Sequence, residues 1–258
     1  MNASTLRQGM YSLNYKHQEP DLSDYMSYAT TLDVNVSLSL PMTYTLQPKM
    51  PPVLDQLTLG GCVANAIAII VGFYTSLIVS RLYMYFTARA LRVPPQYMQD
   101  DGVDLRTAFR AVTKYGIVSE LEMPYLIMNY TQLPSIQCFK NARLFQKFVY
   151  LVAAQNITNL TNLIYNQNPV VFGIAVYESF LTQSVQSTGI VPMPNITTET
   201  HLGNHSLVLI GYDNIKKRFT CQNSWGIDFG DKGMLYLPYE YITNPSLCFD
   251  LWTLQCIL

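Results

Sequence analysis

Asp55-Gln56-Leu57-Thr58-Leu59-Gly60-Gly61-Cys62-Val63-Ala64-Asn65-Ala66 is the stretch on which the reading of this chain turns. The glycine pair permits a tight bend, and Cys62 then opens an uncharged apolar run that lasts to Ser80. A helix over 62–76 is expected there. Its N-terminus would aim unpaired N–H groups and positive potential at the sulfur, which favours thiolate. The same N–H groups suit a developing oxyanion, and Gln56, six residues earlier, supplies a further amide donor. Taken alone, a cysteine at a helix start is usually a small buried hydrophobe, and Gln56 would be a surface residue. The chemistry needs partners.

Two later clusters supply them. Gly203-Asn204-His205-Ser206 precedes the apolar run Leu207-Val208-Leu209-Ile210-Gly211-Tyr212. A histidine at the mouth of such a strand is rigidly held with its ring at the sheet edge. Gln222-Asn223-Ser224-Trp225-Gly226 continues to Gly230 and Gly233. The Asn223 carbonyl can accept the proton on one imidazole nitrogen, leaving the other for the thiol, while Trp225 keeps water off that bond. Either cluster alone reads as a structural histidine or a turn; the conjunction with Cys62 points to nucleophilic catalysis.

With these residues in hand, the chain resembles the papain family of cysteine peptidases. The likeness runs from about Leu40 to Trp252 and includes Met50-Pro51-Pro52-Val53, Ser80-Arg81-Leu82-Tyr83, Asp101-Gly102-Val103 and Glu122-Met123-Pro124-Tyr125. In that family the histidine and asparagine follow the nucleophile by about 130–150 residues. Here His205 follows at 143 and Asn223, slightly beyond, at 161. The resemblance implies Cys62 as nucleophile, His205 as base, Asn223 as its orienting partner and Gln56 with the Cys62 amide as oxyanion hole. It further implies substrate contacts at Gly102, Asn204, Gly61 and Trp225. Leu57 and Gly61 depart from the usual Gly and Ser, and Val63 from a frequent aromatic. Leu59 stands where secreted members carry a cysteine, so that disulfide is absent.

Composition agrees with a large core. Of 258 residues 49% are apolar and 13% charged, with net charge −1, so no nucleic-acid or anionic-membrane partner is expected. The run 62–80 approaches membrane-spanning length, but Asn65, Gly72, Thr75 and Ser76 interrupt it, and it reads better as a central core helix. The N-terminus lacks the apolar region of a secretory signal. Five scattered cysteines form neither a disulfide framework nor a metal pattern, so a reducing compartment, no metal and no cofactor are expected. Three histidines without zinc-binding spacing agree with that.

Helices over 80–91, 104–115 and 158–166 are expected, with Asp104 and Gly116 bounding the second. Strands are expected over Phe145–Ala153, Pro169–Tyr177, Ser206–Tyr212, Arg218–Gln222 and Gly233–Leu237. The fold class is therefore α+β: a two-lobed papain-like fold, with a helical lobe whose central helix begins at Cys62 and a β-barrel-like lobe carrying His205 and Asn223. Residues 1–40 form a leader and 41–258 the peptidase domain, with helical lobe about 56–142 and β-rich lobe about 41–55 plus 143–258. A turn is expected at Glu19-Pro20-Asp21.

The function expected is a cysteine endopeptidase acting on protein or peptide substrates through a thiolate–imidazolium pair and an acyl-enzyme. Alternatives are a catalytically silent binding or structural protein of the same fold, and acyl transfer by the same triad. The leader's aromatic and apolar anchors Met10, Tyr11, Tyr15, Tyr25, Met26 and Tyr28 suit an extended segment packed on a surface. That segment is either an intramolecular inhibitor or a brace for the β-rich half.

Overall fold

The computed structural model describes residues 11–18, 21, 39–92, 98–143 and 148–256. The first helix, α1 (Cys62–Thr75), is buried from Cys62 to Gly72 and ends where Ser76 turns left-handed at φ 57°. Its fully buried Ile67, Ile69, Ile70 and Val71 each contribute about 1.5–3 kcal/mol relative to exposure. At 14 residues it spans about 21 Å, and among the described residues no helix is long and apolar enough to cross a membrane.

Helix α2 (Arg81–Ala90) starts where the Ser80 side chain accepts the Tyr83 N–H. Helix α3 (Leu105–Tyr115) starts where Asp104 accepts the Thr107 N–H and stops at Gly116. These caps satisfy amides that the first turn leaves without partners. A short helix α4 (Ile136–Ala142), capped by Ser135, completes the helical lobe. The sequence does not mark it, because seven residues carry too little periodicity.

The other lobe is an antiparallel sheet of seven strands. They are β1 (Thr43–Thr45), β2 (Phe148–Val152), β3 (Val170–Tyr177), β4 (His201–Asp213), β5 (Arg218–Gln222), β6 (Met234–Pro238) and β7 (Cys248–Cys256). Their order is β2-β7-β3-β4-β5-β6, with β1 added to β4. Helices α5 (Ile157–Tyr165), α6 (Gln183–Thr188) and α7 (Tyr239–Thr243) lie between strands. Helix α1 packs on β4, joining the lobes. This is the α+β, two-lobed arrangement the sequence suggests.

Three strands differ from expectation, the first being β1, which pairs with β4 over Thr43–Thr45 where no strand was expected. β4 begins at His201, not Ser206, because β3 continues to pair with it through Ile174↔His205 and on to Tyr177↔His201. His205 therefore sits inside the strand rather than at its mouth. β7 was not anticipated at all: its register against β3 shifts between Val171 and Gly173, and Asp250 takes a φ of +55°. Such a bulge breaks the alternation by which a strand is read. Glu19 and Pro20 of the expected turn, and Met10, Tyr25, Met26 and Tyr28 of the leader, lie outside the described residues.

Candidate active site

Gly61 caps α1, and its carbonyl accepts both the backbone N–H of Asn65 at 3.0 Å and its side-chain amide at 2.8 Å. Cys62 is fully buried at the helix start, its sulfur receiving the N–H groups of Val63 and Ser206. The residue before Ser206 is His205, on the strand against which α1 packs. His205 Nε2–H donates to Asn223 Oδ1 at 2.8 Å. That bond leaves Nδ1 as the ring's proton acceptor, buried and without a hydrogen-bond partner among the described residues. Asn223 Oδ1 also accepts the Ser224 N–H at 2.8 Å, and the Asn223 N–H is held by the Gly233 carbonyl at 2.9 Å. Trp225 stacks on the imidazole with centroids 4.4 Å apart.

Gln56 lies in the same place, fully buried. Its Oε1 accepts the Ser224 hydroxyl at 2.8 Å, which turns the NH₂ group outward to the Leu59 carbonyl at 3.2 Å and the Ser12 carbonyl at 3.1 Å. The fold thus brings Cys62, His205, Asn223 and Gln56 together, with Gly61 and Trp225 beside them.

Gly102 and Asn204 face each other across the cleft, with the leader between them. Tyr15 N–H donates to the Asn204 carbonyl at 3.2 Å, and Asn14 forms a parallel bridge with Asn204. Gly102, at φ +75°, packs against the Asn14 carbonyl so closely that any Cβ would collide with it. At one end of this segment Tyr11 stacks on Trp225 at 4.4 Å. At the other, Lys16 pairs with Asp101. His201 is exposed and bonded to Asn204 Oδ1 at 3.0 Å.

Burial dominates the electrostatics of this covered state. It pushes the Cys62 thiol up to about 12, against the pull of the Val63 and Ser206 N–H groups. It pushes His205 down to about 4, against the stabilising bond to Asn223. Both groups are neutral at pH 7.

Sequence reasoning missed two supporting residues. Asp100 accepts the Gly60 N–H with both oxygens, at 2.9 and 3.2 Å, and the Tyr85 hydroxyl at 2.6 Å, tying the bend before Cys62 to the loop carrying Gly102. Ser224 was visible only as a neighbour of Asn223. Neither leaves a spacing signal, since each acts through a contact between segments remote in sequence.

A model of the papain family cysteine protease matches residues 99–244. The chain belongs to that family. This papain-family protease is similar along 99% of its length to an uncharacterized peptidase C1-like protein of Acanthamoeba polyphaga mimivirus, 28% identical and covered over 89% of its own length. It is similar in structure to xylellain, a cysteine protease from Xylella fastidiosa, at TM-score 0.85 and 28% identity over 96% of this chain and 98% of that one. A procathepsin B from Trypanosoma congolense shares the fold at TM-score 0.69 and 15% identity, over 98% and 88% of the two chains. The family match begins after Gln56 and Cys62, whereas these longer likenesses extend over nearly the whole protease.

Proposed function

We propose that this papain-family protease is an endopeptidase whose nucleophile is Cys62, held latent by its own residues 11–18. The observation that carries the reading is the Ser12 carbonyl on Gln56 Nε2 at 3.1 Å, next to Cys62 and the His205–Asn223 pair. The Ser12 oxygen stands in for the oxygen of a scissile carbonyl.

Once the leader leaves, water reaches Cys62 and His205 and the burial that keeps them neutral is relieved. The thiol proton passes to His205 Nδ1, giving the thiolate–imidazolium pair. The sulfur attacks the carbonyl carbon, and the negative charge on oxygen is met by Gln56 Nε2 and the Cys62 N–H. His205 then returns its proton to the amide nitrogen, the C–N bond breaks, and a thioester remains on Cys62. Water, deprotonated by His205, releases the acid. Asn223 keeps the ring in the tautomer this requires, and Trp225 shields that bond.

The leader lies backwards. The amine leaving a cleaved peptide departs on the His205 and Trp225 side, so residues after the bond belong there. Residues 11–18 instead place their first residue, Tyr11, on Trp225 and run toward Asp101. A reversed segment fills the cleft without presenting its amide nitrogen for protonation. Its passage on both sides of Cys62 supports endopeptidase action, as does His201, which is engaged with Asn204 rather than capping an end.

The test is intact mass after treatment with an epoxide-type thiol peptidase inhibitor, with peptide mapping, alongside cleavage of an internally quenched peptide. One adduct on Cys62 and cleavage within the peptide are expected. Labelling elsewhere, or trimming only from an end, refutes the reading.

A further inference from the structure

Gly60 and Gly102 both lie against Asn14 of the leader, and one side chain ties them together. A Cβ on Gly60 would stand 2.7 Å from Asn14 Nδ2 and 2.8 Å from Asp100 Oδ1, so glycine there leaves room for both the leader and the carboxylate. Asp100 takes the Gly60 N–H on both oxygens, at 2.9 and 3.2 Å, and the Tyr85 hydroxyl on Oδ1 at 2.6 Å. The Tyr85 oxygen in turn accepts the Gly102 N–H at 3.2 Å. A continuous chain of hydrogen bonds therefore runs from the amide two residues before Cys62 to the amide of Gly102.

That chain is anchored on a rigid element. Tyr85 is buried on α2, and the Arg89 guanidinium, one turn on, lies 3.9 Å over its ring. Arg89 donates from Nε to the Tyr85 carbonyl at 3.1 Å and to the Gln99 carbonyl at 2.6 Å. The residue before Asp100 is thus fastened to the helix that carries Tyr85. Charge is not what the site gains from Asp100. After burial, its carboxylate is among the groups that push the Cys62 thiol up, which opposes the thiolate that nucleophilic attack needs. What the carboxylate supplies is acceptor geometry, with two oxygens set to receive one amide and one hydroxyl.

We infer that Asp100 is a positioning residue of the peptidase reaction, holding the bend before Cys62 and the Gly102 loop at one fixed separation, so that a peptide lying on Gly102 meets the sulfur in attacking geometry. The inference rests on the endopeptidase reading above and adds the residue that couples substrate placement to the nucleophile. Misplacing reacting groups by about 1 Å can cost about 10²-fold in rate. Asp100 bears on both groups at once, through Gly60 on the sulfur and through Tyr85 on the peptide.

The experiment uses the full chain carrying Tyr11→Ala and Tyr15→Ala, chosen to loosen the leader, as the parent protein. Cys62 sites are counted by epoxide labelling taken to completion, and cleavage of one internally quenched peptide is expressed per labelled site. Asp100→Ala should lower kcat by about 10- to 100-fold and also raise KM. Asp100→Asn should stay within about 5-fold of the parent, because an amide oxygen in the place of Oδ1 keeps the Gly60 and Tyr85 bonds, weakened only by the lost charge. Tyr85→Phe should raise KM more than it lowers kcat, since it frees the Gly102 amide and leaves Gly60 held. A purely structural Asp100 predicts a lower unfolding midpoint for Asp100→Ala with unchanged kinetics per labelled site, and that result overturns the inference. So does an Asp100→Asn protein as slow as Asp100→Ala. Where Asp100→Ala does not fold, Tyr85→Phe decides alone, and kinetics equal to the parent's overturn the inference. A parent that does not label at Cys62 overturns the endopeptidase reading, and the inference with it.

Discussion

The Ser224 hydroxyl donates to Gln56 Oε1 at 2.8 Å, and this one bond decides which end of the Gln56 amide faces the cleft. The residue that follows Asn223 thereby orients the Gln56 amide, while its own N–H holds the Asn223 oxygen that accepts from His205. His205 and the Gln56 amide are both set from one dipeptide.

Gln56→Ala should therefore lower kcat by about 10²–10³ with little change in KM, because the contact strengthens as charge develops on oxygen. Ser224→Ala should reproduce part of that loss, with the same kcat-weighted split. Steady-state kinetics on a small peptide amide read both. A Gln56→Ala enzyme with raised KM and near-normal kcat would mean that Gln56 only braces the loop.

Cys62→Ala should abolish hydrolysis, whereas Cys138, Cys221, Cys248 and Cys256 should each be replaceable by alanine with chemistry intact. Cys221 and Cys248 are fully buried, and burial holds both thiols well above their ordinary range. They behave as small apolar side chains, so alanine is the fitting replacement and serine would bury a hydroxyl. Denatured, unreduced protein should titrate as five free thiols. Residual turnover in Cys62→Ala, checked against a wild-type contamination control, would exclude the mechanism.

Much of this arrangement is legible in the sequence. Helices α1, α2 and α3 announce themselves through an uncharged run, a Ser80 cap and an Asp104–Gly116 bracket. Cys62, His205 and Asn223 are found by type and spacing. Asp250 was invisible, because it lies on a strand whose bulge hides its alternation and because its partners are more than 230 residues away. The leader was half legible: Tyr11 and Tyr15 stood out as anchors, yet what they pack on depends on Trp225, Phe249 and Gly173, which only the fold assembles.

Burial of His205 makes the closed state sensitive to acid. In the unfolded chain the imidazole takes its proton near pH 6.5, whereas in the fold burial delays this to about 4. Between those values the unfolded state binds more protons, so stability falls as pH drops through the window and changes little above it. The full effect is roughly 3 kcal/mol by pH 4. Urea unfolding at pH 7.5 and 4.5 should show a larger loss in the wild type than in His205→Gln. Equal losses would show that the imidazole is not the group responsible.

The stack of Tyr11 on Trp225, itself stacked on His205, places the start of the 11–18 segment over the imidazole's covering ring. Tyr11 also meets Phe229 edge-on at 5.3 Å, so its removal costs the leader two ring contacts. Aromatic pairs of this kind contribute about 0.5–1.5 kcal/mol beyond area burial. If the leader is an inhibitor in equilibrium with an open state, Tyr11→Ala in the full chain should speed epoxide labelling of Cys62 by about 2- to 10-fold. Combining it with Tyr15→Ala should add to the gain, because the two anchors pack on separate partners, Trp225 and Phe229 for one and Phe249 and Asp250 for the other. A synthetic peptide of residues 11–18 should reverse the effect competitively, and its Tyr15→Phe version should compete less well, lacking the hydroxyl for Asp250. The opposing view makes residues 11–18 a brace for the sheet. It predicts a lower unfolding midpoint for Tyr11→Ala, unchanged labelling in the protein that remains folded, and no competition by the peptide. Labelling rate and unfolding midpoint measured on the same samples separate the two, since an inhibitor raises the first while a brace lowers only the second.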